Sequence, residues 1–410
     1  MSAPAPGPSV AVLSSAGGGG GGIAALRLAQ ALNAHGALQA DFIDIAGLGE
    51  ALPAHAAPFE SFSNRIVTDT HFTAEHPGFS RGWMVGMLAR YDVVNVHWAS
   101  YLVSLGELHA LAMAGRPMLF WMHDFHYITG GCHYPAGCDG FLRDCRGCPQ
   151  LDIRRSNPAV TARALAVKRE IFARPNVHLS APSAFLRDRA VAAGIVPAAR
   201  AHVIRNAYAP LAPFDADRPP GVRVLLIADS LAEQRKNMGL ALEVLAQVAA
   251  QHPPGGMVVD IVGQAPPPLC ARLAEGGVPH VLHGRVTDHA ALTAILARSD
   301  VLLSCSLEDN WPNILVEAGC YGAMPVVGPG HGCAEFVRRY GFGHVTEDYT
   351  AAAFVRALRA ALAGCAGGAA QRARAAAAIR AEHDPARIAQ AFAAFLHDVL
   401  GAHSDGMAVA

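Results

Sequence analysis

Short apolar runs recur along the chain, separated by stretches in which apolar residues return every three or four positions. Runs of that length predict strands buried on both faces, and the longer period predicts helices packed against them. In the first half, Val10–Leu13, Val93–Val96, Met118–Met122 and Val177–Leu179 read as strands, and Ile23–Ala34 as an amphipathic helix with Arg27, Gln30 and Asn33 on its polar stripe. The Pro- and Asp-rich stretch Pro210–Pro220 interrupts this pattern. It resumes with strands at Val222–Ile227, Val258–Val262, Val301–Leu303 and Pro325–Val327, and helices near Met238–Ala249, Ala290–Ala297 and Asn313–Cys320. Alternating strands and helices predict parallel sheets covered on both faces, and the doubling predicts two doubly wound α/β domains with a hinge near 207–221. Ala351–Arg380 reads as helix because alanine is the strongest helix former. Ile388, Phe392, Phe395, Leu396 and Val399 mark the apolar face of a last helix, and the tail from about Ser404 reads as loose.

Composition supports two cores: the chain has 410 residues, 52% hydrophobic and 16% charged. A net charge of −1 gives no footprint for general nucleic-acid binding. With no Lys or Arg before Arg27 and no uncharged run of spanning length elsewhere, the expectation is a cytoplasmic protein. One local exception is the stretch 153–175, where Arg154, Arg155, Arg163, Lys168, Arg169 and Arg174 face only Glu170. It predicts reversible docking to an anionic membrane surface at the inner face of the membrane, with a solvated helix face as the plain alternative.

The candidate chemistry begins with two acids eight residues apart, Asp309 and Glu317, across a proline-opened helix start. Pro312 suits the first helical position, which puts the N–H groups of Asn313 and Ile314 in the helix's open first turn, with Asn310 just before it. A carboxylate one and a half turns in can accept from vicinal hydroxyls such as those of a ribose; an acidic N-cap beside a solvated glutamate would look the same. Arg235 and Lys236 follow the first strand of the second half and open a helix, a placement that suits a diphosphate. The run Gly17–Gly22, centred on Gly19, Gly20 and Gly21, joins the first strand to the first helix where backbone can approach a ligand, or is a flexible turn. His123-Asp124 closes the strand Met118–Met122, on the edge where parallel sheets bind ligands, and His97 closes an earlier one. Cys132, Cys138, Cys145 and Cys148, spaced C-x5-C-x6-C-x2-C, predict a structural zinc site, with His126 and His133 as substitute ligands.

Glu317-Ala318, Gly322, Pro325, Val326 and Val327, with an acid at Asp309, resemble the acidic-x7-Glu and Ala-x-x-x-Gly-x-Pro-Val-Val motifs of the family 4 retaining glycosyltransferases. Asp309, Asn310, Pro312 and Asn313, together with Thr129–His133 and Gly147–Gln150, are similar to a bacterial exopolysaccharide subgroup of the colanic-acid type. The resemblance runs from about residue 9 to 400. It implies a GT-B fold, in which two Rossmann-like domains face across a cleft: an acceptor-side domain at 1–207 with the four-Cys insertion at 132–148, a nucleotide-sugar domain at 221–385, and a helix at 386–403 crossing back to the first domain. It implies a nucleotide-diphosphate sugar as donor, a glycan or polyprenyl-diphosphate-linked glycan as acceptor, and no catalytic metal. By resemblance Lys236 and Arg235 meet the diphosphate, Arg285 the base, Glu317 the ribose, and Asp309 and His123 the hexose. Two departures stand out: Asn237 replaces the glycine after the lysine, and the family's upstream Arg is missing from 228–231. A non-catalytic sugar-nucleotide or glycan-binding protein retaining the fold is the alternative.

Overall fold

The computed structural model describes residues 7–36, 38–52, 67–74, 81–152, 154–155, 157–215, 222–251, 256–365 and 368–408. Every apolar run named above lies within a parallel strand, except that Met122 falls just past the end of its strand. From the N-terminus the elements are β1 (Ser9–Ser14), α1 (Gly19–His35), β2 (Gln39–Asp44), α2 (Arg81–Met87), β3 (Val93–Val96), α3 (Leu105–Met113), β4 (Met118–Trp121), α4 (Val160–Ala173), β5 (Val177–Ala181), α5 (Ala184–Ala192) and β6 (Ala201–Val203). The six strands form one parallel sheet in the order β2-β1-β3-β4-β5-β6. Alternate residues serve opposite faces: Val10 and Val12 pack with Leu28 and Leu32 of α1, while Ala11 and Leu13 pack with Leu108 and Phe120. Both faces are buried, so these strands read as continuous apolar runs.

A second sheet follows: β7 (Val222–Ser230), α6 (Met238–Ala249), β8 (Met257–Gln264), α7 (Pro267–Glu275), β9 (His280–Gly284), α8 (His289–Arg298), β10 (Val301–Ser304), α9 (Asn313–Cys320), β11 (Met324–Val327), α10 (His331–Tyr340), β12 (His344–Val345), α11 (Ala351–Cys365) and α12 (Ala369–His383). Its order is β12-β11-β10-β7-β8-β9, again parallel. Strand order reverses between β1 and β3 in one sheet and between β7 and β10 in the other, and loops at such a switch point are where open α/β sheets take ligands.

The chain divides into two units, 1–207 with 384–410, and 208–383. The last helix, α13 (Pro385–Ala408), therefore belongs with the first sheet, where Ile388, Phe392 and Leu396 pack with residues of α1 and β4. It continues through the tail expected to be loose. The hinge expected near 207–221 falls partly outside the described residues, at 216–221, as does Ile153 at the start of the basic stretch.

That basic stretch needs correction. Lys168 lies fully buried, its Nζ donating to the carbonyls of His126 at 2.5 Å and Thr129 at 2.9 Å. Arg154 and Arg155 both face Asp152, one residue before the stretch begins. Lys168 is thus an internal tie, and Arg154 and Arg155 are locally paired. Among the described residues, no helix is long and apolar enough to cross a membrane.

Candidate functional site

In the second unit the switch point gathers a charged cluster. β7 ends in a loop whose short 3-10 turn, Gln234–Lys236, presents two cations and stops at Asn237, φ 53° and ψ 44°. That left-handed conformation is the one glycine usually supplies, and asparagine is among the few residues that tolerate it. Asn237 thus adopts a backbone turn open to glycine. From the neighbouring strand, the loop after β10 is tied across by Leu307 N–H donating to the Arg235 carbonyl at 2.8 Å. Tyr349 steadies the same loop by donating to the Ser306 and Leu307 carbonyls, each at 3.2 Å. Gly332 lets a second segment close over it, since a Cβ there would lie 1.5 Å from the Asn310 oxygen.

Lys236 Nζ lies 2.8 Å from Asp309 Oδ2, Arg235 Nη1 3.4 Å from the same oxygen, and Arg235 Nε 2.8 Å from Glu233 Oε2. Burial alone would raise the Asp309 carboxyl; the charges of Lys236 and Arg235, with the lysine's hydrogen bond and the Asn310 N–H, outweigh it and hold it below the usual range. The two cations are therefore pre-arranged against two carboxylates. Glu233 was missed from sequence, although its place two residues before Arg235 was visible. Asn313 opens α9 as the reading Asn313–Cys320 has it, and Pro312 is the N-cap, at φ −64° and ψ 128°, instead of the first helical residue. Glu317 is half-buried on that helix. Arg285 stands apart, in an exposed pair with Asp229 at the end of β7, 3.1 Å from it.

The first unit holds a histidine cluster at its own strand ends. His97 follows β3 and His123 follows β4, with His97 Nδ1 2.9 Å from His123 Nε2 and His97 Nε2 2.8 Å from Asn95 Oδ1. Burial drives both imidazoles down, His123 to about 4, so both are neutral at physiological pH. Asp124 accepts from His133 Nδ1 at 2.7 Å and from the His126 N–H at 2.8 Å, and it bears on His123 through its charge, which partly offsets burial. Gly19, Gly20 and Gly21 form the first turn of α1 rather than a loop. Gly21 lies against His123, where a Cβ would sit 3.3 Å from Cδ2, and Gly22 admits no Cβ because the Ala16 oxygen would be 2.2 Å away.

Cys132, Cys138, Cys145 and Cys148 line one cavity of about 190 Å³. Among the described residues, however, no group of three or more His, Cys, Asp or Glu is placed to hold a metal ion. Tetrahedral zinc needs four donors within about 2.3 Å of one point, whereas these thiols spread around a cavity. Burial raises Cys132 and takes Cys145 to about 11. The zinc expectation is not supported, and neither His126 nor His133 completes a group of three or more such side chains among the described residues.

Comparison with known proteins agrees with the geometry. Residues 222–364 match the family model described as Glycosyl transferases group 1. An Escherichia coli (strain K12) protein, named as colanic acid biosynthesis glycosyl transferase WcaC, is 26% identical over 247 residues, and the match covers 56% of this chain and 56% of that one. The chain thus spans about half the length of that relative. Anabaena Alr3699/HepE, solved in complex with UDP, superposes with a TM-score of 0.62 at 17% identity, covering 95% of this chain and all of that one at 100%. WaaG, a glycosyltransferase involved in lipopolysaccharide biosynthesis, gives 0.59 at 13% identity, with coverages of 94% and 98%. The fold is GT-B, and the resemblance to GT-B glycosyltransferases read from the motifs is borne out.

Proposed function

We propose that this chain is a retaining glycosyltransferase that moves a hexose from a nucleotide-diphosphate sugar to a glycan or polyprenyl-diphosphate-linked glycan during polysaccharide assembly. The observation that carries this reading is the Lys236–Asp309–Arg235 cluster at the switch point of the second sheet, inside the segment that matches group 1 glycosyl transferases. The HepE complexes with UDP and UDP-glucose favour a uridine donor.

In this reading the diphosphate takes Lys236 and Arg235, the ribose hydroxyls take Glu317, and Arg285 lies toward the base. The bond from the sugar's anomeric carbon to the diphosphate breaks with its electron pair leaving on the phosphate oxygen, where the two cations stabilise the growing charge. The acceptor hydroxyl bonds to that carbon on the same face and passes its proton to the departing phosphate oxygen. Asp309 holds the cations before the ligand arrives, so little reorganisation is needed when charge develops. The first unit serves the acceptor side, with His123 meeting a sugar hydroxyl.

The test is turnover of UDP-glucose, beside binding of UDP. Lys236→Ala should weaken both the nucleotide sugar and free UDP by roughly ten- to a hundredfold, the loss of one charge-assisted hydrogen bond, and Glu317→Gln should reduce binding and turnover together. Binding that never leads to turnover with any acceptor would favour the non-catalytic sugar-nucleotide protein instead.

A further inference from the structure

The hydrogen-bond order around His123 can be read outward from a fixed end. Asn95 is wholly buried on β3, and its Nδ2 donates to the Leu119 carbonyl of β4 at 3.0 Å. A carbonyl can only accept, so the amide is fixed in orientation and its Oδ1 faces His97 Nε2 at 2.8 Å. That oxygen has no hydrogen to give; His97 Nε2 must carry one. His97 is neutral, so its Nδ1 holds a lone pair, and this is the nitrogen 2.9 Å from His123 Nε2. The hydrogen between them therefore sits on His123 Nε2.

The His97 backbone is held by its amide N–H, which donates to the Leu13 carbonyl at 2.9 Å, and by its carbonyl, which accepts from Tyr127 Oη at 2.8 Å; its ring stacks on Trp121 with centroids 5.0 Å apart. The Cδ2 edge of His123 faces Gly21, which puts Nδ1 on the other edge of the ring.

We infer that Asn95 and His97 are positioning residues that lock His123 as its Nε2–H tautomer, so that its Nδ1 is a hydrogen-bond acceptor and selects a hydroxyl over a phosphate oxygen. An anionic oxygen has no hydrogen to offer that nitrogen; a sugar hydroxyl does. That the hydroxyl belongs to a sugar rests on the function proposed above. The tautomer does not.

The experiment is long-range proton–nitrogen correlation on full-length protein labelled at histidine nitrogen, near neutral pH, with the two rings assigned by single substitution. His123 should show its protonated nitrogen at Nε2. His97→Gln should preserve this, because the glutamine amide can donate to Asn95 and accept from His123; His97→Phe keeps the ring stack, breaks the relay and should leave His123 a mixture of tautomers. With UDP-glucose, His97→Phe should lower kcat/KM by up to about tenfold, one neutral hydrogen bond, with UDP affinity unchanged and kcat/KM restored in His97→Gln. A His123 protonated at Nδ1, doubly protonated, or unaltered by His97→Phe overturns the relay. If no variant turns over donor, the proposed function fails while the spectra still decide the tautomer; the wild-type spectrum does so even where His97→Phe does not fold.

Discussion

Lys168 shows how a charge visible in sequence can be placed wrongly by it. Six basic residues in a row of turns read as a surface, yet one of them is interior, donating to two carbonyls of the turn that follows β4. Burial lowers its amine to about 7. In the unfolded chain a lysine titrates near ~10.4, so above about pH 7 the unfolded state keeps a proton that the folded state has released. Stability contributed by this group must then rise with pH, by at most roughly 1.4 kcal/mol per pH unit. Unfolded thiols begin to titrate in the same range but are common to both proteins, so the difference in urea midpoint between wild type and Lys168→Met, followed from pH 7 to about 8.5, should carry that slope. Asp309 makes the opposite lesson, since its spacing was legible and its partners were not. Asp309→Asn removes a negative charge facing Lys236 and Arg235. Free UDP should bind at least as tightly to it, while turnover falls tenfold or more; parallel losses in both would make the carboxylate a structural tie alone.

At the level of elements, the sequence revealed what was buried on both faces. β1, β3, β4, β7, β8, β10 and β11 carry Val- and Leu-rich runs because helices cover them on both sides. Edge strands gave no such signal: β9 exposes Val281 and Leu282, and β2 reads Gln-Ala-Asp-Phe-Ile-Asp. The alanine-rich stretch that read as helical holds α11 and α12, with 366–367 between them outside the described residues, and a Cβ on Gly368 would lie 2.4 Å from the Gly364 oxygen. What fixes β9 is polar and was illegible. Asp260 on β8 is bonded by Arg223 of β7 at 2.7 Å, by His283 of β9 at 2.7 Å and by Arg298 of α8 at 2.7 Å. Its burial would raise the carboxyl, but those three hydrogen bonds bring it to about 2. The folded value lies below the unfolded ~3.9, so this contribution is present above about pH 4 and lost as pH falls toward 2. Asp260→Asn should cost about 3–5 kcal/mol near pH 7, the range for breaking a buried ion pair. The difference from wild type should shrink by pH 3, as read from denaturant midpoints.

For the molecule as a whole, the path of the chain separates two stabilities. The first unit is built from both ends of the sequence: α13 fills its sheet face with Ile388, Phe392 and Leu396, 3%, 0% and 1% exposed, and Phe392 stacks near Trp121. Those three side chains are worth about 1.5–3 kcal/mol each, a sum comparable to the net stability of an entire domain. The apolar face of α13 was legible from its spacing, but not what it packs against, because spacing carries no record of a partner as distant in sequence as Trp121 is from Phe392. The second unit, 208–383, is continuous and has its own core around Leu226, Val259 and Val301. A fragment of residues 208–383 should therefore fold cooperatively alone and still bind UDP, whereas 1–207 alone should not fold until 384–410 is joined to it. In the full chain, Phe392→Ala should lower the melting transition of the first unit by the equivalent of about 3–5 kcal/mol. The UDP-stabilised transition of the second unit should stay where it was, and a calorimetric scan in which both transitions fall together would show that the two units unfold as one.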